Sequence, residues 1–192
     1  MKRLTKAQLN DLPAYQGLTL ANICIVENEQ DAVFALETLS NEEILGFDTE
    51  SKPTFKKGQK SAGPTLIQLA TISQGFLFPT RFSCAVQAAG ELLSNPRIKK
   101  VGFGLKGDRK MLNSHLGITL ENNQDLAVEL KKLIDDKNEI GAKAAVGMVL
   151  GKRLLKGAQL SNWGAYPLAQ SQIRYAANDA HAAVCVATKI GI

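Results

Sequence analysis

The stretch Ile44-Leu45-Gly46-Phe47-Asp48-Thr49-Glu50 decides how this chain is read. Its apolar run reads as a buried strand, 44–48, with polar residues at the C-terminal end. In an extended chain, residues i and i+2 point to the same side, so Asp48 and Glu50 project from one face. Two such carboxylates repel, and a hard divalent cation such as Mg²⁺ or Mn²⁺ is the usual offset. Taken alone, the pair reads more cheaply as a solvated strand end with two surface acids.

Outward from this strand, residues 22–26 read as a short strand and 30–39 carry helical spacing of Ala, Val, Phe and Leu. Residues 66–72 and 75–78 read as a pair of strands. A helix over 83–93 stops at Asn95-Pro96, and 99–102 is a further strand. Helices are expected over 109–115 and, after a mainly helical region with Gly breaks, over 171–189. This order of elements predicts an α/β domain with a mixed sheet. Catalytic groups in such sheets tend to lie at strand carboxyl ends, which is where Asp48 and Glu50 sit. Residues 1–20 read as a polar arm and 21–192 as one domain.

The chain has 192 residues, 45% of them apolar, enough for a full core. No apolar run reaches the roughly 18–20 residues of a membrane span, and the basic start lacks the apolar stretch of a signal peptide. An intracellular, cytoplasmic protein without membrane contact is therefore expected. Cys24, Cys84 and Cys185 form no CxxC and read as small core residues in a reducing compartment. The net charge is +5, which permits binding to phosphate backbones without establishing it.

Two further acids stand out. Tyr175 and Asp179, at i and i+4, share one face of the last helix, beside Ala176, Ala180 and Ala183. A carboxylate on such an apolar stripe needs a partner or a metal, although a Tyr–Asp hydrogen bond would also serve. Asp108, in Gly104-Leu105-Lys106-Gly107-Asp108, follows a strand and opens a helix; alone it reads as a helix cap.

Phe47-Asp48-Thr49-Glu50, then Gly104-Leu105-Lys106-Gly107-Asp108, then Tyr175-x-x-x-Asp179, together resemble the three exonuclease motifs of the DEDDy family. That family includes ribonuclease D and the exonuclease domain of the Werner syndrome helicase. The likeness extends from about Ile44 to Val184. Leu150-Gly151-Lys152-Arg153-Leu154, Ser161-Asn162-Trp163 and Gly104 resemble the Werner-type branch. The resemblance implies a ribonuclease H-like fold, a mixed five-stranded sheet flanked by helices. It implies a 3′–5′ exonuclease acting on DNA or RNA, with two divalent cations, Mg²⁺ or Mn²⁺, and nucleoside 5′-monophosphate products. Asp48, Glu50 and Asp179 would hold one ion, and Asp48 would bridge to the second. Asp108 would serve that second ion through water or its outer shell, and Tyr175 would orient the attacking water. Thr49, Gln68 and Lys106 are the expected contacts to the nucleotide.

The basic residues gain a place in this scheme. Lys52, Lys56, Lys57 and Lys60 follow Glu50, while Lys99, Lys100, Lys106, Arg109 and Lys110 cluster in sequence around Asp108. Both groups are expected at the mouth of the site, where phosphates arrive; solvated loop charge is the plainer reading. Lys110 stands where the Werner domain has an aromatic residue, so stacking there is not expected. With no attached nucleic-acid-binding domain, weak binding and distributive digestion are expected.

Rival readings remain. Gly102-x-Gly104-x-x-Gly107 fits a dinucleotide fingerprint, with Asp125 about twenty residues on. An NAD(P)-dependent dehydrogenase is thus an alternative, as is a non-catalytic nucleic-acid-binding module on the same fold. Gly147-x-x-x-Gly151-Lys152-Arg153 fails as a P-loop for want of a residue between the glycines and a Ser/Thr after Lys. His115 and His181 lack metal-ligand spacing; His181 is expected on the solvated side of its helix. Trp163 reads as a packing anchor.

Overall fold

The computed structural model describes residues 2–53, 62–155 and 157–192. Among them are six strands: β1 (Ile23–Ile25), β2 (Ile44–Ser51), β3 (Pro64–Ala70), β4 (Gly75–Pro79), β5 (Lys99–Gly102) and β6 (Asn123–Asp125). The helices are α1 (Lys6–Asp11), α2 (Glu29–Leu39), α3 (Ser83–Leu93), α4 (Lys106–Leu116), α5 (Leu126–Leu133), α6 (Ala142–Ala145) and α7 (Gln170–Ile190), with a π-helical turn at Val146–Leu150. The sheet order is β1-β4-β3-β2-β5-β6. Only β3 runs antiparallel to its neighbours; the β1–β4, β2–β5 and β5–β6 pairs are parallel. The sheet is mixed, as expected, but has six strands where the resemblance implied five, with three-residue strands β1 and β6 at its two edges.

Alternation along β2 sorts its residues between two layers. Leu45 and Phe47 face the core beneath α2 and α3, with Ile67 and Leu69 of β3 and Phe76 and Phe78 of β4. Leu66 and Leu77 face the other side, against Tyr175, Ala176 and Ala177 of α7. Gly46, Asp48 and Glu50 share that second face by the same alternation. The ladder with β3 runs from Gly46 opposite Ala70 to Ser51, so β2 continues past the expected end at Asp48. The parallel ladder with β5 stops sooner, at Gly46 opposite Val101. Beyond Gly46 the chain is therefore sheet on one side and open on the other. Asp48 and Glu50 occupy that split.

Contact between α7 and the sheet depends on small residues. A Cβ built on Gly46 would lie 1.9 Å from the carbonyl oxygen of Ala180 and 3.1 Å from the nitrogen of Val184. The backbone of α7 thus rests directly on that of β2, and the buried residues Ala176, Ala177, Ala180 and Ala183 keep its lower face flat. The N-terminal arm lies over the outside of this helix. Tyr15 N donates to Arg153 O, Arg153 N donates to Pro13 O, and Leu18 N donates to Asn178 Oδ1. Leu9 packs over Gly147 in the π-helical turn.

No helix among the described residues is long and apolar enough to cross a membrane. Substituting Gly46→Ala forces a methyl into the Ala180 carbonyl. We expect a loss of about 3 kcal/mol in stability, read as a lower urea midpoint at unchanged slope.

Candidate active site

Three elements bring the acids together. Strand β2 presents Asp48 and Glu50 at the split described above. Helix α7 crosses them and supplies Asp179, one turn beyond Tyr175. Helix α4 carries Asp108 in its first turn. Thr49, pointing to the opposite face from Asp48, donates from Oγ1 to Asp108 Oδ1 at 2.5 Å. Thr49 N donates to Asp48 Oδ1 at 2.9 Å. One residue thereby ties two of the acids to the same point of the backbone. Together, Asp48, Thr49, Glu50, Tyr175 and Asp179 line a cleft of about 510 Å³. Its other wall includes Phe103, Glu139 and Gln159.

The electrostatics are uphill. Burial pushes the Asp48 carboxyl well above the usual carboxylate range, and the charges of Asp179, Asp108 and Glu50 push it further. Only the amide of Thr49 acts in the other direction. Burial also raises Asp108, against the opposing hydrogen bond from Thr49. Tyr175 is raised by burial, then by the Asp179 charge and by its own hydrogen bond to that carboxylate. Its hydroxyl therefore stays protonated at any ordinary pH. Among the described residues, no three acid, histidine or cysteine side chains are already gathered in the manner of a metal's ligands. Asp48, Glu50 and Asp179 share a cleft without being folded onto one point, and Asp108 stands outside its lining.

The basic residues fare differently. Lys56, Lys57 and Lys60 lie outside the described residues. Lys52 packs along Gly164. Lys100 is fully buried and donates from Nζ to Asn95 O at 2.7 Å; burial lowers its pKa to about 8. Its expected place at the mouth is thus corrected. Lys99 and Lys100 pair with Ile44 and Leu45 at the start of β2, four and three residues before Asp48. Closeness in sequence to Asp108 had concealed the length of β5 between them. Lys106, Arg109 and Lys110 are exposed on α4, and Arg109 donates to Asn123 Oδ1. Lys106 does not line the cleft.

Gln68 stands directly across the ladder from Asp48, with no exposed surface. It lies beneath the cleft, where a nucleotide does not reach. His181 is also buried, not solvated as expected, because α7 is covered by the arm on its outer side. Its Nε2 bonds the carbonyl of Ile72 at 2.8 Å and its Nδ1 meets the Tyr15 hydroxyl at 2.7 Å. A carbonyl only accepts, so Nε2 carries the proton and Tyr15 donates to Nδ1. Trp163 is the packing anchor expected, buried against Tyr175 with ring centroids 6.0 Å apart. Phe103, Glu139 and Gln159 were not anticipated. They come from loops with no spacing signal, and only the tertiary fold places them.

The glycine fingerprint is accounted for locally. Asp125 caps α5 through Ala127 N, and its two oxygens accept from Gly104 N and Leu105 N, each at 2.9 Å. The amides that would cradle a dinucleotide phosphate are thus already bonded within the chain. Gly151 ends the π-helical turn in a left-handed conformation, φ 62°, and forms no phosphate loop.

Comparison with known proteins agrees with this geometry. Over 156 residues the chain is 33% identical to the mouse (Mus musculus) bifunctional 3′-5′ exonuclease/ATP-dependent helicase WRN; the match covers 80% of this chain and 11% of that protein. It is 26% identical over 190 residues to an Arabidopsis thaliana 3′-5′ exonuclease, covering 93% of this chain and 66% of that one. The chain thus spans less than two thirds of the length of these relatives. Its fold matches the crystal structure of the Aedes aegypti Nibbler EXO domain with a TM-score of 0.79, at 22% identity, over 92% of this chain and 90% of that one. The 3′-5′ exonuclease family model matches residues 23–191, which takes in β1, all four acids and the whole of α7, and the chain belongs to that family.

Proposed function

We propose that this chain is a divalent-cation-dependent 3′–5′ exonuclease that hydrolyses the terminal phosphodiester of a nucleic acid and releases nucleoside 5′-monophosphates. The observation that carries this reading is the convergence of Asp48, Glu50 and Asp179 on one cleft with Tyr175, with Asp108 tied to its edge through the Thr49 hydroxyl. Every charge raising Asp48 is negative. A set of carboxylate oxygens in mutual repulsion is the donor chemistry that hard cations such as Mg²⁺ or Mn²⁺ take. Asp48, Glu50 and Asp179 would hold one ion, and Asp48 with Asp108 would serve a second. Bound there, the ions would supply positive charge for the attacking and the leaving oxygen of an in-line displacement.

The chain's own groups do the rest. Tyr175 is held protonated by burial and by Asp179, so it does not act as a base; its one proton goes to Asp179, and its hydroxyl oxygen accepts from the attacking water and orients it. The Thr49 amide fixes one Asp48 oxygen, and the Thr49 hydroxyl fixes one Asp108 oxygen. The half-apolar wall at Phe103 faces these acids across the cleft and offers a ring for the terminal base to rest on. A non-catalytic module on this fold would have no use for four destabilising acids, and all four are present.

Three outcomes test this. A 5′-labelled oligonucleotide should shorten stepwise from its 3′ end with Mg²⁺ or Mn²⁺, and EDTA or Asp48→Ala should abolish it. Binding without shortening under both metals would overturn the proposal. Tyr175→Phe should lower kcat by about 10²-fold, with KM changed little. The third concerns stability. A carboxyl whose pKa is raised on folding favours the fold at low pH, and that contribution is lost as pH rises from the unfolded value, about 4, through the raised one. At neutral pH in EDTA, Asp48 therefore destabilises the chain, and Asp48→Asn should raise Tm by about 2–4 °C. Saturating Mn²⁺ should reverse the order, because only the wild type gains the full binding free energy.

A further inference from the structure

Gln68 is a polar side chain in the centre of the sheet. It has no exposed surface, and neither its Nε2 nor its Oε1 has a hydrogen-bond partner. Its neighbours along β3 on the same face are Leu66 and Ala70, and across β4 it faces Leu77. Helix α7 closes the space above. A buried amide with both atoms unpaired is destabilising, and a methionine would fill the same volume without that cost. Packing therefore gives no reason for an amide here.

The neighbour on the remaining side does. Asp48 is the direct ladder partner of Gln68, and residues directly opposite in an antiparallel pair have Cβ atoms roughly 5 Å apart on the same face. A glutamine side chain spans that gap. Asp48 already accepts one hydrogen bond from the Thr49 amide, on Oδ1. A single donor leaves a carboxylate free to rotate; a second fixes its plane. We propose that Gln68 is a positioning residue for Asp48: its Nε2 donates to the Asp48 carboxylate in the ion-bound state and holds it in the orientation that lets both ions share it. The inference rests on the exonuclease reading for the identity of the ions. It gives Gln68 a role through Asp48, not through the nucleotide.

The test uses the full chain with Gln68→Met. Three quantities are measured: Tm in EDTA, Mn²⁺ affinity by electron paramagnetic resonance without nucleic acid, and kcat and KM on an oligonucleotide. We expect Tm to hold or rise and Mn²⁺ affinity to fall by about tenfold, the usual effect of losing a group that orients a metal ligand. At limiting Mn²⁺, kcat should fall and recover as Mn²⁺ is raised, with KM for the oligonucleotide unchanged. A folded variant with wild-type Mn²⁺ affinity overturns the proposal. So does a raised KM with unaltered Mn²⁺ binding, which would mean a nucleotide contact. Gln68→Leu is the second variant, and failure of both to fold assigns the amide a structural role and also overturns it. If the wild type binds Mn²⁺ without cutting, the exonuclease reading falls alone, and the Mn²⁺ affinities still decide the role of Gln68. A wild type that binds no Mn²⁺ sinks both.

Discussion

The rest of the structure depends on the direct seating of α7 on β2. Gly46 has no side chain, so the carbonyl of Ala180 occupies the space a Cβ would need. Helices usually pack on sheets through a layer of apolar side chains. Here the spacing at the crossing point is set by backbone alone. Asp179 adjoins that contact in the helix, and Asp48 stands two residues along the strand. The distance between two acids on different elements is thus fixed by the least deformable parts of both. A larger residue at 46 would lift the helix and separate the acids along with it.

This rigidity opposes a local electrostatic cost. Burial and three like charges act on Asp48, and Tyr175, kept protonated, gives Asp179 a hydrogen bond but no opposing charge. The sheet beneath can carry this load because its opposite face is a continuous apolar layer of Leu45, Phe47, Ile67, Leu69, Phe76 and Phe78 under α2 and α3. The apolar core lies on one face of the sheet and the acidic cleft on the other. Thr49 joins the two, since its backbone amide serves Asp48 while its hydroxyl reaches around to Asp108.

Much of this was legible in the sequence because the relevant signals are periodic. Asp48 and Glu50 follow the two-residue repeat of a strand, Tyr175 and Asp179 the four-residue spacing of a helix, and the boundaries of α3 and β5 are set by Asn95-Pro96 and by the glycines after Val101. What was not legible involves relations between elements. Lys100 looked like a phosphate ligand because it is eight residues from Asp108, yet β5 carries it to the far end of the sheet. His181 looked solvated because helical periodicity cannot show that the N-terminal arm returns to cover α7. Gln68 looked like a substrate contact because the strand assignment placed it near the acids; which side of β3 is open depends on α7. The cleft wall at Phe103, Glu139 and Gln159 has no repeat to reveal it.

The arm that covers α7 gives the chain an order of completion. Asp48 belongs to an early strand, whereas Asp179 and Tyr175 belong to the final helix, and Tyr15 and Leu18 grip that helix at His181 and Asn178. During synthesis β2 is made long before α7 exists, so the apolar side of the sheet can form while the acidic side has only part of its charge. Asp179 joins the other acids only when α7 is added, by which time the core beneath them is available to hold them. A chain interrupted before α7 lacks both the last acid and the helix that sets its distance from Asp48, so the cleft in which these groups meet is completed only when the fold is closed at both ends.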